Sequence, residues 1–227
     1  MDNPLITAIT LLISGNREVY FIALTSLRFS LTSTGIAAII SIPLGIALHF
    51  NRFPFKRAVI AVLNALMALP TVVIGLLVFS FLSRSGPLGR LNLLFSPAAI
   101  IIGQVVLVVP ILVSLVFSGM SKIDPRFYET LITLGARQGD VLIGSLKEAR
   151  FVIISALLAG FGRVIGEVGI SMMLGGNIRW FTRTMTTTIA LETSKGDFAM
   201  GMALGIILMV LALLINSLMH ILVKNER

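Results

Sequence analysis

Cysteine is absent from this 227-residue chain, and charged residues make up only 12% of it. The missing cysteine excludes disulfide scaffolds, thiolate metal sites and cysteine nucleophiles. Soluble domains carry about 25% charged residues. Half that share, with 56% hydrophobic residues and a mean hydropathy of +1.01, points away from a soluble globule. Carboxylates are scarcest of all: none occurs in the 105 positions between Glu18 and Asp124. No GxxxxGKS/T phosphate-binding loop is present, so the chain is not expected to bind ATP that way. HExxH, GxSxG and paired intramembrane aspartates are also missing, which argues against an intramembrane enzyme. No inverted repeat of the secondary-transporter kind is evident. The two histidines, His49 and His220, stand near the ends of apolar runs and make no metal-ligand pattern. The single tryptophan, Trp180, fits an anchor at a membrane interface.

What is present is long uncharged runs. Phe29–Asn51, Ala58–Ser83, Leu91–Ser121 and Phe198–Val223 carry no formal charge, and Phe151–Ile178 is broken only by Arg163 and Glu167. Each reaches the roughly 20 residues that a helix needs to cross hydrocarbon. The expected fold is an all-α integral membrane protein with five core spans in one domain, residues 1–227. Leu5 to Ser14 is apolar but covers only about half a membrane. It is expected to lie at the interface, as part of an N-terminal segment over residues 1–28. A sixth span is the rival reading. The start Met1-Asp2-Asn3 lacks the basic n-region of a signal peptide.

Orientation follows from the basic residues. Ten fall in one alternating set of loops (Arg52, Lys56, Arg57, Lys122, Arg126, Arg137, Lys147, Arg150, Lys224, Arg227), and seven in the other (Arg17, Arg28, Arg84, Arg90, Arg179, Arg183, Lys195). Positive charge collects in the cytoplasm. The N-terminus is therefore expected outside, with the C-terminus and the 121–150 loop inside. The +8 net charge thus marks a membrane topology, and no nucleic-acid partner is expected.

Pro43, Pro70 and Pro110 lie well inside the runs. Proline removes a helix hydrogen bond and bends the axis. A bent pathway and simple packing adjustment both account for them. Gly160, Gly162, Gly166 and Gly169 suit close helix approach. In the 121–150 loop, Asp124-Pro125 reads as a helix start. Phe127, Leu131 and Leu134 recur at helical spacing, and Gly135 ends the helix before a second short one. Such a knob could enter a groove of a soluble partner or rest on the bilayer.

Arg163 and Glu167 are four apart, on one helix face. Ionised groups inside a membrane are costly and pair with each other. The pair either locks a helix to its neighbours or lies by a translocation path. Residues 177–197 combine Thr182, Thr184, Thr186, Thr187, Thr188, Thr193 and Ser194 with Arg179, Arg183 and Lys195. Tetrahedral oxyanions expose only acceptors, so hydroxyl and cationic donors suit their passage. An outer loop with capping hydroxyls is the other reading.

The segment Glu129-Thr130-Leu131-Ile132-Thr133-Leu134-Gly135-Ala136 resembles the EAAxxxGA motif of ABC-importer permeases. Thr130 and Leu131 stand where that motif has alanines, and the downstream Leu-Pro is Leu146-Lys147 here. The stretch 160–177 resembles the GRxxGExGxxxMxxGN pattern of sulfate, molybdate and tungstate permeases, through Arg163, Gly166, Glu167, Gly169, Met173, Gly176 and Asn177. The continuation Ala190 to Gly196 is most similar to tungstate permeases.

The resemblance implies a type I importer permease fold in the inner membrane of a prokaryote. It implies a homodimer, two copies of a separate ABC ATP-binding subunit that hold the ATP and Mg, and an extracytoplasmic oxyanion-binding protein. The chain itself would carry no cofactor, no metal and no catalytic residue. Glu129, Thr130, Leu131, Leu134, Gly135 and Ala136 would couple to the ATPase. Arg163, Glu167, Asn177, Arg183, Thr186 and Thr187 are the candidates for the path or gate. Two other classes stay open: a proton-coupled anion carrier using Glu167, and a non-transporting anchor that recruits a partner through 121–150.

Overall fold

The computed structural model describes residues 3–51 and 53–224. Arg52 and Arg227, two of the basic residues counted above, lie outside them. Among the described residues every regular element is helical.

The first helix, α1 (Pro4–Ile13), starts where Asn3 accepts a hydrogen bond from the Leu5 N–H and Pro4 takes the first helical position. Ten residues rise about 15 Å, half of a membrane. Gly15, at φ +69°, turns the chain. Asn16 then caps α2 (Arg17–Phe50) by accepting from the Glu18 and Val19 N–H groups. The interfacial segment expected over 1–28 is therefore two pieces, because residues 17–28 continue directly into the first span.

The second expected span is broken. Helix α3 (Lys56–Met67) ends before Pro70, which caps α4 (Thr71–Leu82), and the two axes meet at 100°. Pro43 and Pro110 behave differently, lying inside the continuous helices α2 and α5 (Pro97–Met120). Ser41 of α2 donates to the Val109 carbonyl beside Pro110 at 3.2 Å, tying the two spans together there. After α5 come two short helices, α6 (Pro125–Thr133) and α7 (Gln138–Glu148). The fourth span is also broken, into α8 (Arg150–Ile165) and α9 (Gly169–Gly175), bent by 60°. Helices α10 (Met185–Lys195) and α11 (Phe198–Lys224) complete the chain. Among the described residues, three helices are long and apolar enough to cross a membrane, or up to five spans if each bent pair counts as one.

Helix α5 is the hub. Val108, Leu112 and Val116 pack with Ala37 of α2 and with Ala156 and Val164 of α8. The helices come close because Gly45 and Gly160 face them: a Cβ on either would meet Val116 or Leu112 at 2.8 Å. A second cluster joins Ile74 and Val78 of α4 to Leu107, Ile170 and Leu174. A third gathers Leu11 and Leu12 of α1, Val19 and Ile22, Ile165, Met185 and Leu204. This packing sorts the connections to two ends. At one end Glu18 meets Arg179 and Arg183, and the Phe95 N–H donates to the Leu174 carbonyl. At the other, His49 meets Ser121 and Tyr128.

Candidate coupling surface and translocation segment

The helix pair α6–α7 forms as its residues dictate. Asp124 accepts from the Arg126 N–H at 2.9 Å, and Pro125 takes the first helical position. Gly135 has φ +79°, a left-handed conformation that glycine adopts without penalty. The Ala136 N–H reaches back to the Leu131 carbonyl at 3.0 Å. Asp140 then accepts from the Arg137 N–H at 3.0 Å and fixes the start of α7.

Phe127 and Leu131 turn inward onto Gly144 of α7. Leu134 was expected on their face, but it sits past the last helical residue and is 78% exposed. Ile132 is 64% exposed beside it. Glu129, Thr130 and Gly135 also face outward, while Ala136 is half-buried. An apolar tip thus projects from the end of the molecule.

Tyr128 is the residue that the sequence reading missed. Its hydroxyl lies 3.3 Å from Nε2 of His49, and its ring packs edge-on against Phe50. Burial pushes its hydroxyl above the ordinary tyrosine range, against the opposing pull of the Ser145 hydroxyl. Nothing in sequence spacing links positions 79 residues apart.

The broken fourth span holds the second group. Arg163 and Glu167 do pair, Nη1 to Oε2 at 2.9 Å, but they do not share one continuous helix, since α8 ends at Ile165 between them. The Arg163 side chain is 42% exposed and that of Glu167 only 3%. The second Glu167 oxygen accepts from the Ile170 N–H at 3.3 Å, so the carboxylate caps α9 as well as pairing Arg163. Its backbone carbonyl accepts from the Thr186 hydroxyl at 2.8 Å. Unwound backbone at membrane depth must find partners inside the protein, and here Glu167 and Thr186 provide them.

The threonines follow the same logic. Thr182, Thr184, Thr186, Thr187 and Thr188 are all buried. Thr184 caps α10 by accepting from the Thr187 N–H. Thr187 accepts from the Thr184 N–H and lies 3.0 Å from Oδ1 of Asn177. Thr188 donates to the Thr184 carbonyl, and Thr182 to that of Gly175. The Met185 N–H donates to Ser26 of α2 at 2.7 Å. These hydroxyls tie residues 177–188 to the spans; among the threonines and serine of 177–197, Thr193 and Ser194 are the exposed ones. The three-residue spacing of Thr184 and Thr187 is a capping-box pattern, a signal that the sequence did offer.

Arg183 stands apart from the Arg163 pair. It lies 3.5 Å from Glu18 and 4.0 Å from Glu192. Arg179 forks onto Glu18, with Nε to Oε1 at 2.7 Å, and Lys195 pairs with Glu192 at 3.0 Å. This network rims a cavity of about 380 Å³. Among the described residues no three His, Asp or Glu side chains converge as a metal site.

Broken apolar spans around one central helix, with a capped amphipathic helix pair at one end, define a membrane transport subunit. The chain belongs to the family described as the binding-protein-dependent transport system inner membrane component, which matches residues 41–227. It is 40% identical over 213 residues to the tungstate uptake system permease protein TupB of Peptoclostridium acidaminophilum, covering 94% of this chain and 93% of that protein. It is 35% identical over 213 residues to the TupB of Campylobacter jejuni, covering 94% and 89%. In fold it matches a chain of the MetNI methionine ABC transporter, solved in inward-facing conformations, with a TM-score of 0.73, 17% identity and full coverage of both chains. The fold is that of a type I ABC-importer permease. Members of this family transport rather than catalyse, and ATP hydrolysis belongs to a separate subunit. The family implies an ATPase partner, a binding-protein partner and a place in the inner membrane.

Proposed function

We propose that this chain is the permease of an ATP-driven tungstate importer. The observation that carries the reading is the end-to-end identity to two tungstate uptake permeases. The tip of α6 is the surface that engages the ATPase, with Glu129, Thr130, Leu134 and Gly135 exposed and Leu131 and Ala136 packed behind them. A homodimer with two ATPase copies, which hold the ATP and Mg, fits the cyclic symmetry usual for such assemblies. The binding protein delivers the oxyanion to the opposite end. That end, with the N-terminus, lies outside a prokaryotic inner membrane, and the α6–α7 end lies in the cytoplasm; α1 rests at the interface.

Arg163 is the member of the path or gate that offers a charge to the anion. Glu167, Asn177, Thr186 and Thr187 hold the broken span that presents it, and Arg183 anchors the 177–188 segment. The test is uptake by proteoliposomes holding the permease, its ATPase and its binding protein. Tungstate uptake should require ATP and should fall at least tenfold in Arg163→Ala. Preferred uptake of molybdate or sulfate would reassign the substrate. Uptake by the permease alone, driven by a pH gradient, would overturn the importer reading.

A further inference from the structure

The carboxyl end of α2, the start of α3, the end of α5 and helix α6 meet around one side chain, His49. Lys56 of α3 donates to the His49 carbonyl at 3.0 Å and to that of Asn51 at 3.2 Å. Its ammonium lies 5.5 Å from the centre of the Phe117 ring of α5. The imidazole packs edge-on to Phe50 and reaches both Ser121, at 3.4 Å from Nδ1, and Tyr128, at 3.3 Å from Nε2. Helix α6 otherwise rests on α7, through Phe127 and Leu131. Among the described residues, the Tyr128–His49 contact is the hydrogen bond that links α6 to a span.

Both neutral tautomers of His49 suit this chain of contacts. In one, Ser121 gives its one hydroxyl proton to the Phe117 carbonyl at 2.8 Å. With its proton placed there, Ser121 accepts from Nδ1–H of His49. Nε2 of a neutral imidazole is then an acceptor, and Tyr128 donates to it. In this tautomer the donors run from Tyr128 of α6 to His49 of α2, from His49 to Ser121, and from Ser121 to the last turn of α5. In the other neutral tautomer Ser121 donates to Nδ1 and Nε2–H donates to Tyr128, and in both one hydrogen bond joins Tyr128 of α6 to His49 of α2.

We infer that His49 and Tyr128 form the joint through which displacement of α6 reaches α2, α3 and α5. This rests on the reading of α6 as the ATPase-engaging helix. Tyr128 is a positioning residue: its ring faces the spans, while Glu129, Thr130 and Leu134 face away toward the partner. A purely structural tyrosine at this place would stabilise α6 and leave the energetics of transport alone. A joint sets how much transport each ATP achieves.

The measurement is tungstate taken up per ATP hydrolysed by the complete complex of permease, ATPase and binding protein in proteoliposomes. Tyr128→Phe keeps the ring and removes only the hydroxyl; His49→Phe keeps a ring and removes both nitrogens. Each should lower the ratio about fivefold, the factor that one ordinary hydrogen bond carries, with ATPase binding retained and the thermal midpoint lowered by no more than about 2–4 °C. The double variant should lose no more than either single one, because both remove the same link. An unchanged ratio in Tyr128→Phe and His49→Phe overturns the joint, as do losses that multiply in the double variant. Gly135→Pro, measured in parallel, separates this from the reading beneath it. If Gly135→Pro binds ATPase and transports normally, the coupling surface itself is misassigned. If it uncouples and Tyr128→Phe does not, the joint alone fails.

Discussion

Glu167 has two duties that its chemistry makes hard to replace. It caps α9 and neutralises Arg163, and it is nearly inaccessible. Removing one partner of such a pair strands a charge, which costs about 3–5 kcal/mol for a fully buried pair. Arg163 is 42% exposed, so losing Glu167 strands a charge that water can still reach, at lower cost. Losing Arg163 strands the buried carboxylate. Arg163→Ala should therefore lower the thermal midpoint in detergent more than Glu167→Gln does. The double variant should recover part of the Arg163→Ala loss, as coupled neighbours do. Thermal unfolding of the three variants checks this; strictly additive losses would mean that the two side chains do not interact. The pair was legible in the sequence as charges four apart. The helix end between them was not, because Gly166 inside an apolar run suits close packing and chain reversal equally well.

At the scale of the element, the prolines show what sequence leaves undecided. Pro43, Pro70 and Pro110 look equivalent in the sequence, yet only Pro70 breaks its span. Helix α3 buries none of its residues within the chain, so no core contact holds it in line with α4. Pro110 is buried in α5, against α2 and α8, where packing enforces a continuous axis. The α6–α7 pair was more readable, because Asp124, Pro125 and Gly135 each act through local backbone geometry. Gly135 offers a direct check. No atom lies within 4 Å of a Cβ placed there, so substitution strains only the backbone. Asparagine visits the left-handed region more readily than other non-glycine residues, and β-branched residues least. Gly135→Asn should retain ATPase association, and Gly135→Val should weaken it several-fold at about 1–2 kcal/mol of strain. Pull-down of the ATPase subunit by each variant reads this out; equal binding by both would show that the turn does not set the surface.

For the whole molecule, the long apolar segments were legible because hydropathy needs no tertiary knowledge, whereas the bends that divide two of them were not. The sorting of loops to two ends depends on contacts such as Glu18–Arg179 that no local pattern announces. The two ends also differ in how their cations are paired. At the end that holds Glu18, the cations Arg179, Arg183 and Lys195 are matched to Glu18 and Glu192. Among the described residues, none of the five cations of the 121–150 loop is in an ion pair. The rule for orientation counts basic residues rather than net charge, so the ten-to-seven count is what supports the proposed placing of the 121–150 end in the cytoplasm. The absence of cysteine makes this testable without background, since each introduced thiol is the only one. Gly139 of α7 is exposed and has open space around it, and Lys195 is 54% exposed at the opposite end. In sealed spheroplasts a membrane-impermeant maleimide should label Lys195→Cys and spare Gly139→Cys until the membrane is opened. Losing the exposed Lys195–Glu192 pair should cost less than about 1 kcal/mol, so the variant should fold. The reverse labelling pattern would invert the topology and place α6 where no ATPase could reach it.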